Sequence, residues 1–189
     1  MVQELVVSRR NPALWWIVAN AVGWAGAMGV FEALPDNFAT IGCGCAIVGT
    51  TQWLALRSQL RVSLWWMVGT SLAWFGTLYF LAPTAGVFDP HFFWLGGIGG
   101  TLAGISQCWT LWRRASRPLL WVPVSTVASV AGWFAGVTVG WKIFSHVGDL
   151  WSVVIGGAIG GFVIGVLSAP GLIWTAASGK CNFGSPRAL

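Results

Sequence analysis

Few side chains in this sequence could do chemistry, and each kind points to a narrow range of it. His91 and His146 could each offer a neutral imidazole to a tetrapyrrole metal. Neither pairs with a Ser or Cys nucleophile. The four cysteines are Cys43, Cys45, Cys108 and Cys181. Cys43 and Cys45 make a C-x-C within an apolar run, but a zinc site needs four converging ligands, so they read as small packing residues. Gln52 and Gln107 are amides set in apolar surroundings, where they suit hydrogen bonds between helices. No nucleophile–base pair, metal cluster or phosphate-binding loop emerges, and the expectation is a protein that is not an enzyme and holds no metal.

The elements that carry these residues are strongly apolar. Of 189 residues, 56% are hydrophobic and 8% charged, against roughly 25% charged in an ordinary soluble domain. Apolar runs fall at about 13–33, 39–57, 64–83, 92–112, 119–141 and 151–175. Each suits one membrane crossing, which takes about 20 residues. The expected fold is an all-α integral membrane protein: residues 1–189 form a single transmembrane domain of six helices, with tails at 1–12 and 176–189. The first run is too long for the core of a signal peptide and is read as a retained helix.

Charge gives an orientation. The N-terminal arm, the 58–63 and 113–118 connections with their flanks, and the C-terminal tail hold nine of the ten basic residues; only Lys142 falls on the other side. By the positive-inside rule both termini are cytoplasmic, in a bacterial inner membrane or a thylakoid-like membrane. The net charge of +5 is scattered between the runs, so nucleic acid is not an expected partner. Asn20, Thr51, Gln52, Ser71, Ser106, Gln107, Ser125, Thr126, Ser129 and Ser168 are polar residues within the runs. No Asp, Glu, Lys, Arg or His falls mid-membrane, which argues against a pump or an ion-coupled transporter.

A two-helix pattern recurs three times, over about 13–57, 64–114 and 119–175. The first copy has Leu14-Trp15-Trp16, Gly23-Trp24, Gly44, Gly49 and Gln52-Trp53-Leu54-Ala55-Leu56-Arg57. The second has Leu64-Trp65-Trp66, Ala73-Trp74, Gly99, Gly104 and Gln107. The third has Trp121, Gly132-Trp133, Gly160, Gly165 and Ser168. Parallel repeats of this kind predict a pseudo-threefold axis along the membrane normal. Gly42 and Gly49, then Gly96, Gly100 and Gly104, then Gly157, Gly161 and Gly165 form small-residue faces where helices should meet closely.

Most of the fifteen tryptophans lie near run ends. Trp15, Trp16, Trp65, Trp66, Trp109, Trp112, Trp121 and Trp174 read as an aromatic belt on the cytoplasmic side, and Trp94, Trp141 and Trp151 as its counterpart. Trp24, Trp74 and Trp133 instead lie near mid-membrane. They are either packing knobs against glycine faces or an aromatic wall for a chlorophyll-type pigment, a carotenoid or a lipid.

The Trp-Trp … Gly-Trp … Gly-x-x-Gln-Trp-Leu-x-Leu-Arg pattern of residues 14–57 resembles a loose group of small, Trp/Gly-rich, multi-pass bacterial membrane proteins common in cyanobacteria. That group has no assigned function and no catalytic residues to carry over. Mitochondrial carriers also have three two-helix repeats, but their Pro-x-Asp/Glu-x-x-Lys/Arg motif is missing here. The expected function is an accessory subunit, surrounded by lipid and by other membrane subunits, of a larger assembly such as a photosynthetic pigment–protein complex. The alternative is a channel or facilitator for a small neutral solute.

Overall fold

The structure is a computed structural model that describes residues 11–34, 37–57, 60, 62–81, 93–112, 115, 117–147 and 149–178. Six α-helices follow one another: α1 Pro12–Ala33, α2 Phe38–Leu56, α3 Trp65–Leu81, α4 Phe93–Leu111, α5 Trp121–Val147 and α6 Asp149–Ser178. Local chemistry sets their starts. Asn11 caps α1 by accepting the Ala13 N–H at 3.0 Å, and Pro12 follows where a missing N–H costs nothing. Asn37 caps α2 by accepting the Thr40 N–H at 3.0 Å. A 3₁₀ turn, Pro118–Leu120, leads into α5.

Each helix packs against its neighbours in chain order, and α6 closes the ring against α1. Neighbours run antiparallel, as their contacts show. Gly23 of α1 lies against Thr51 of α2, whereas Phe31 lies over Gly44; Gly132, Gly136 and Gly140 of α5 meet Gly160, Gly156 and Ser152 of α6. The start of α1 and the end of α6 therefore lie at one end of the bundle. Arg57 stacks over Trp53 and Arg117 over Trp174, at 5.0 and 5.6 Å.

Four segments are long and apolar enough to cross a membrane: Pro12–Ala33, Phe38–Arg57, Pro118–Gly140 and Leu150–Trp174. Described α3 has only 17 residues, and the glycines and Gln107 of α4 lower its hydropathy. The radial distribution is inverted relative to a water-soluble protein. Leu14, Val22, Leu72, Phe80, Ile105, Val127, Phe134 and Phe162 face outward, all more than half exposed. Asn20, Gln52, Thr70, Gln107, Ser129 and Ser168 are buried. Water-soluble proteins rarely expose a continuous apolar surface of this kind. Surrounded by hydrocarbon, the polar groups can find hydrogen-bond partners only inside.

Candidate functional site: a tryptophan-plugged axis

The odd-numbered helices meet at the bundle axis through their indoles. Trp24, Trp74 and Trp133 form one layer. Trp24 meets Trp74 edge-on at 4.6 Å and Trp133 at 6.0 Å, while Trp74 and Trp133 lie nearly parallel at 6.1 Å. The three expected mid-membrane tryptophans thus contact one another. The ring of Trp74 also lies against Gly99, which has no side chain to displace it.

A second layer consists of Trp16, Trp66 and Trp121, with centroids 6.0, 6.0 and 6.1 Å apart. All three are buried, at 2%, 0% and 1% exposure. The belt expectation is therefore corrected for these three. Their partners on the helix surface, Trp15 and Trp65, do face outward, as do Trp109, Trp112 and Trp174. Adjacent helical residues point about 100° apart, so one member of each Trp-Trp pair turns inward. That was the available signal, together with a polar residue one turn later at Asn20 and Thr70.

A polar network around these layers joins all six helices. Ser168 of α6 donates to the Ile164 carbonyl at 2.6 Å and accepts from Trp16 Nε1 of α1 at 2.8 Å. Asn20 Nδ2 donates to the Trp16 carbonyl at 2.9 Å, and Asn20 Oδ1 accepts from Gln52 Nε2 of α2 at 2.8 Å. Gln52 Oε1 accepts from Gln107 Nε2 of α4 at 3.2 Å. The same nitrogen donates to Thr70 Oγ1 of α3 at 2.9 Å, and Gln107 Oε1 accepts from Trp121 Nε1 of α5 at 2.6 Å. Gln52 and Gln107 are thus central and joined to each other. Trp66 Nε1 and Trp133 Nε1 are buried without a hydrogen-bond partner.

A cavity of about 20 Å³ lies between the layers, bordered by Gln52, Gln107, Ser125, Ser129 and Ser168. A single water needs roughly 10–15 Å³ and two to four polar partners, so the space fits one. At this level the axis can hold a water but not a larger solute.

The glycine faces are where backbones meet. A Cβ at Gly96 would stand 2.6 Å from the Ser129 carbonyl oxygen, at Gly100 2.8 Å from that of Ser125, and at Gly104 3.1 Å from Val122 Cα. A Cβ at Gly157 would stand 2.7 Å from the Trp24 carbonyl oxygen, one at Gly165 2.7 Å from Ile17 Cα, and one at Gly161 would clash with the Asn20 carbonyl. A Cβ at Gly49 would stand 2.6 Å from the Met67 carbonyl oxygen. Gly42 is different: a Cβ there would meet nothing within 4 Å, so it is not a close-packing position. The expectation missed Gly132, Gly136, Gly156 and Gly160, through which α5 and α6 touch backbone to backbone.

Cys43 is exposed and Cys45 buried, because residues two apart on a helix point to opposite sides. His91 lies outside the described residues. His146 falls within α5, but its side chain is likewise outside the description.

Apolar outward faces, buried polar groups and glycine-mediated contacts define a multi-pass helical membrane protein. No protein-family model, curated protein or solved structure matches the chain.

Proposed function

We propose that all six helices cross the membrane as three parallel two-helix repeats about a pseudo-threefold axis, with both termini cytoplasmic, and that the chain is a non-enzymatic accessory subunit of a larger membrane assembly. The observation that carries this reading is the tied, plugged axis: two indole layers and one hydrogen-bond network spanning six helices make a rigid body. In the third copy Ser168 stands where the others have Gln52 and Gln107, and it ties α6 to α1 through Trp16. A photosynthetic pigment–protein complex is the assembly that the resemblance to cyanobacterial Trp/Gly-rich proteins suggests.

An outward aromatic cluster supports the same reading. Phe38, Phe75, Tyr79 and Phe80 contact one another at 4.7–5.5 Å, with Phe38 and Phe80 62% and 68% exposed. Aromatic side chains are favoured anchors at protein interfaces. Affinity purification in mild detergent should recover a membrane partner in constant ratio, and F38A/F80A should release it. A lone monomer with unchanged behaviour in the double variant would overturn the proposal. The alternative, a facilitator for a small neutral solute, has to contend with two indole layers across its path. Solute-driven swelling of liposomes carrying the protein should match that of empty liposomes.

A further inference from the structure

A second, larger space opens between α1, α5 and α6, and the helical register explains it. Counting on from the upper indole layer, α1 places Met28 and Phe31 four and seven residues after Trp24, and α3 places Leu78 and Leu81 after Trp74. At the same steps after Trp133, α5 has Val137 and Gly140. Met28, Phe31, Leu78 and Leu81 pack into or against the apolar core. Gly140 brings nothing to it, and the facing wall of α6 is also glycine.

Those glycines are not free to carry side chains. A Cβ at Gly136 would lie 2.6 Å from the Gly156 carbonyl oxygen, and one at Gly157 2.7 Å from that of Trp24. Contact between α5 and α6, and between α6 and α1, therefore leaves a wedge between the three helices that their glycines do not fill. The cavity measures about 250 Å³. Its floor is Trp24 and Trp133, and Met28, Val137, Val153 and Ile164 line its sides. The polar side chains on its wall are Ser152 and, at the rim, the exposed Glu32.

Close-packed protein interiors contain few voids larger than a water molecule. An apolar cavity of this kind stays dry, so water is a poor occupant. The medium around the helices is hydrocarbon, and by the same measure of roughly 10–15 Å³ per water-sized group the space has more than ten times the room that one such group needs. From rim to floor, Glu32 to Trp24 is eight residues of helix, or ~12 Å. We infer that this wedge is a binding site for one hydrocarbon chain, entering at the Glu32 end and resting its tip on the indoles of Trp24 and Trp133. The site belongs to the bundle itself and does not depend on a partner subunit.

The test is photo-crosslinking of the full-length protein in liposomes doped with a phosphatidylcholine carrying a diazirine near the end of one acyl chain. A parallel arm uses a prenyl alcohol with the same group, which separates an acyl source from an isoprenoid one. Labelling by either probe is expected on the lining residues Trp24, Met28, Trp133, Val137, Val153 and Ile164, with Leu72, Phe80, Phe134 and Phe162 on the outer surface as labelled controls. V153F fills the wedge and should abolish the internal labels while keeping the outer ones. If V153F does not accumulate, V137L should reduce the internal labels in a graded way. Outer labelling without internal labelling in the wild type overturns the inference, as does internal labelling that persists in V153F or V137L.

Discussion

At the scale of single residues, the network turns on Gln107, whose amide serves Gln52, Thr70 and Trp121 at once. Replacing it by Leu leaves buried donors and acceptors without partners and should cost about 2–3 kcal/mol in detergent unfolding. Two tryptophans of the lower layer allow a finer comparison. Trp121 Nε1 is hydrogen-bonded, whereas Trp66 Nε1 is not. W121F and W66F remove similar ring area, so W121F should be the more destabilising by about 1 kcal/mol, the scale of hydrogen bonds inside membrane bundles. Equal melting temperatures for the two would mean that the Gln107 bond has no net worth. The two glutamines were legible in the sequence as bonding groups. Their partners were not, since Gln52 and Gln107 themselves lie 55 residues apart and Gln52 bonds Asn20 across 32.

At the scale of elements, the glycine faces set how closely helices approach. Gly161 sits on the backbone of α1 at Asn20, so G161A must push α6 away and should cost about 1–3 kcal/mol, the usual range for overpacking. Gly42 offers open space, and G42A should be neutral or stabilising by up to about 1 kcal/mol through helix propensity. Ranking both variants by thermal unfolding in one detergent checks the pair. Four-residue glycine spacing marks stripes on α4 and α6, at Gly96, Gly100 and Gly104 and at Gly157, Gly161 and Gly165. It could not separate Gly42 from Gly49, because spacing fixes a stripe on one helix and says nothing of where its neighbour stops. Register adds a further irregularity. Trp16 and Trp24, like Trp66 and Trp74, are eight residues apart, but Trp121 and Trp133 are twelve apart. Even so, α5 contributes one indole to each layer.

At the scale of the whole molecule, the bundle is inverted, with apolar surface outside and its hydrogen bonds inside. Reporter fusions at residues 1 and 189 should both read as cytoplasmic, and a reporter inserted after residue 86 should read as translocated. A terminus on the opposite face would break the six-span topology. Removing lipid should matter as well. Protein stripped by harsh detergent should melt below protein extracted gently, and added phospholipid should restore the difference, because ligands that bind only the folded state stabilise it by mass action.

The sequence by itself determined the solvent this chain folds in, the number and approximate bounds of its helices and their small faces. These are local properties: hydropathy over about 20 residues and the spacing of glycines. It also marked Trp24, Trp74 and Trp133 as a set. Only the tertiary structure decided that Trp16, Trp66 and Trp121 turn inward, that one hydrogen-bond network ties six helices, and that the wedge beside α5 and α6 stays open. The physical reason is that in a uniformly apolar helix no amphipathic stripe announces the inner face. Which side points to the axis is settled by contacts between segments far apart in the chain.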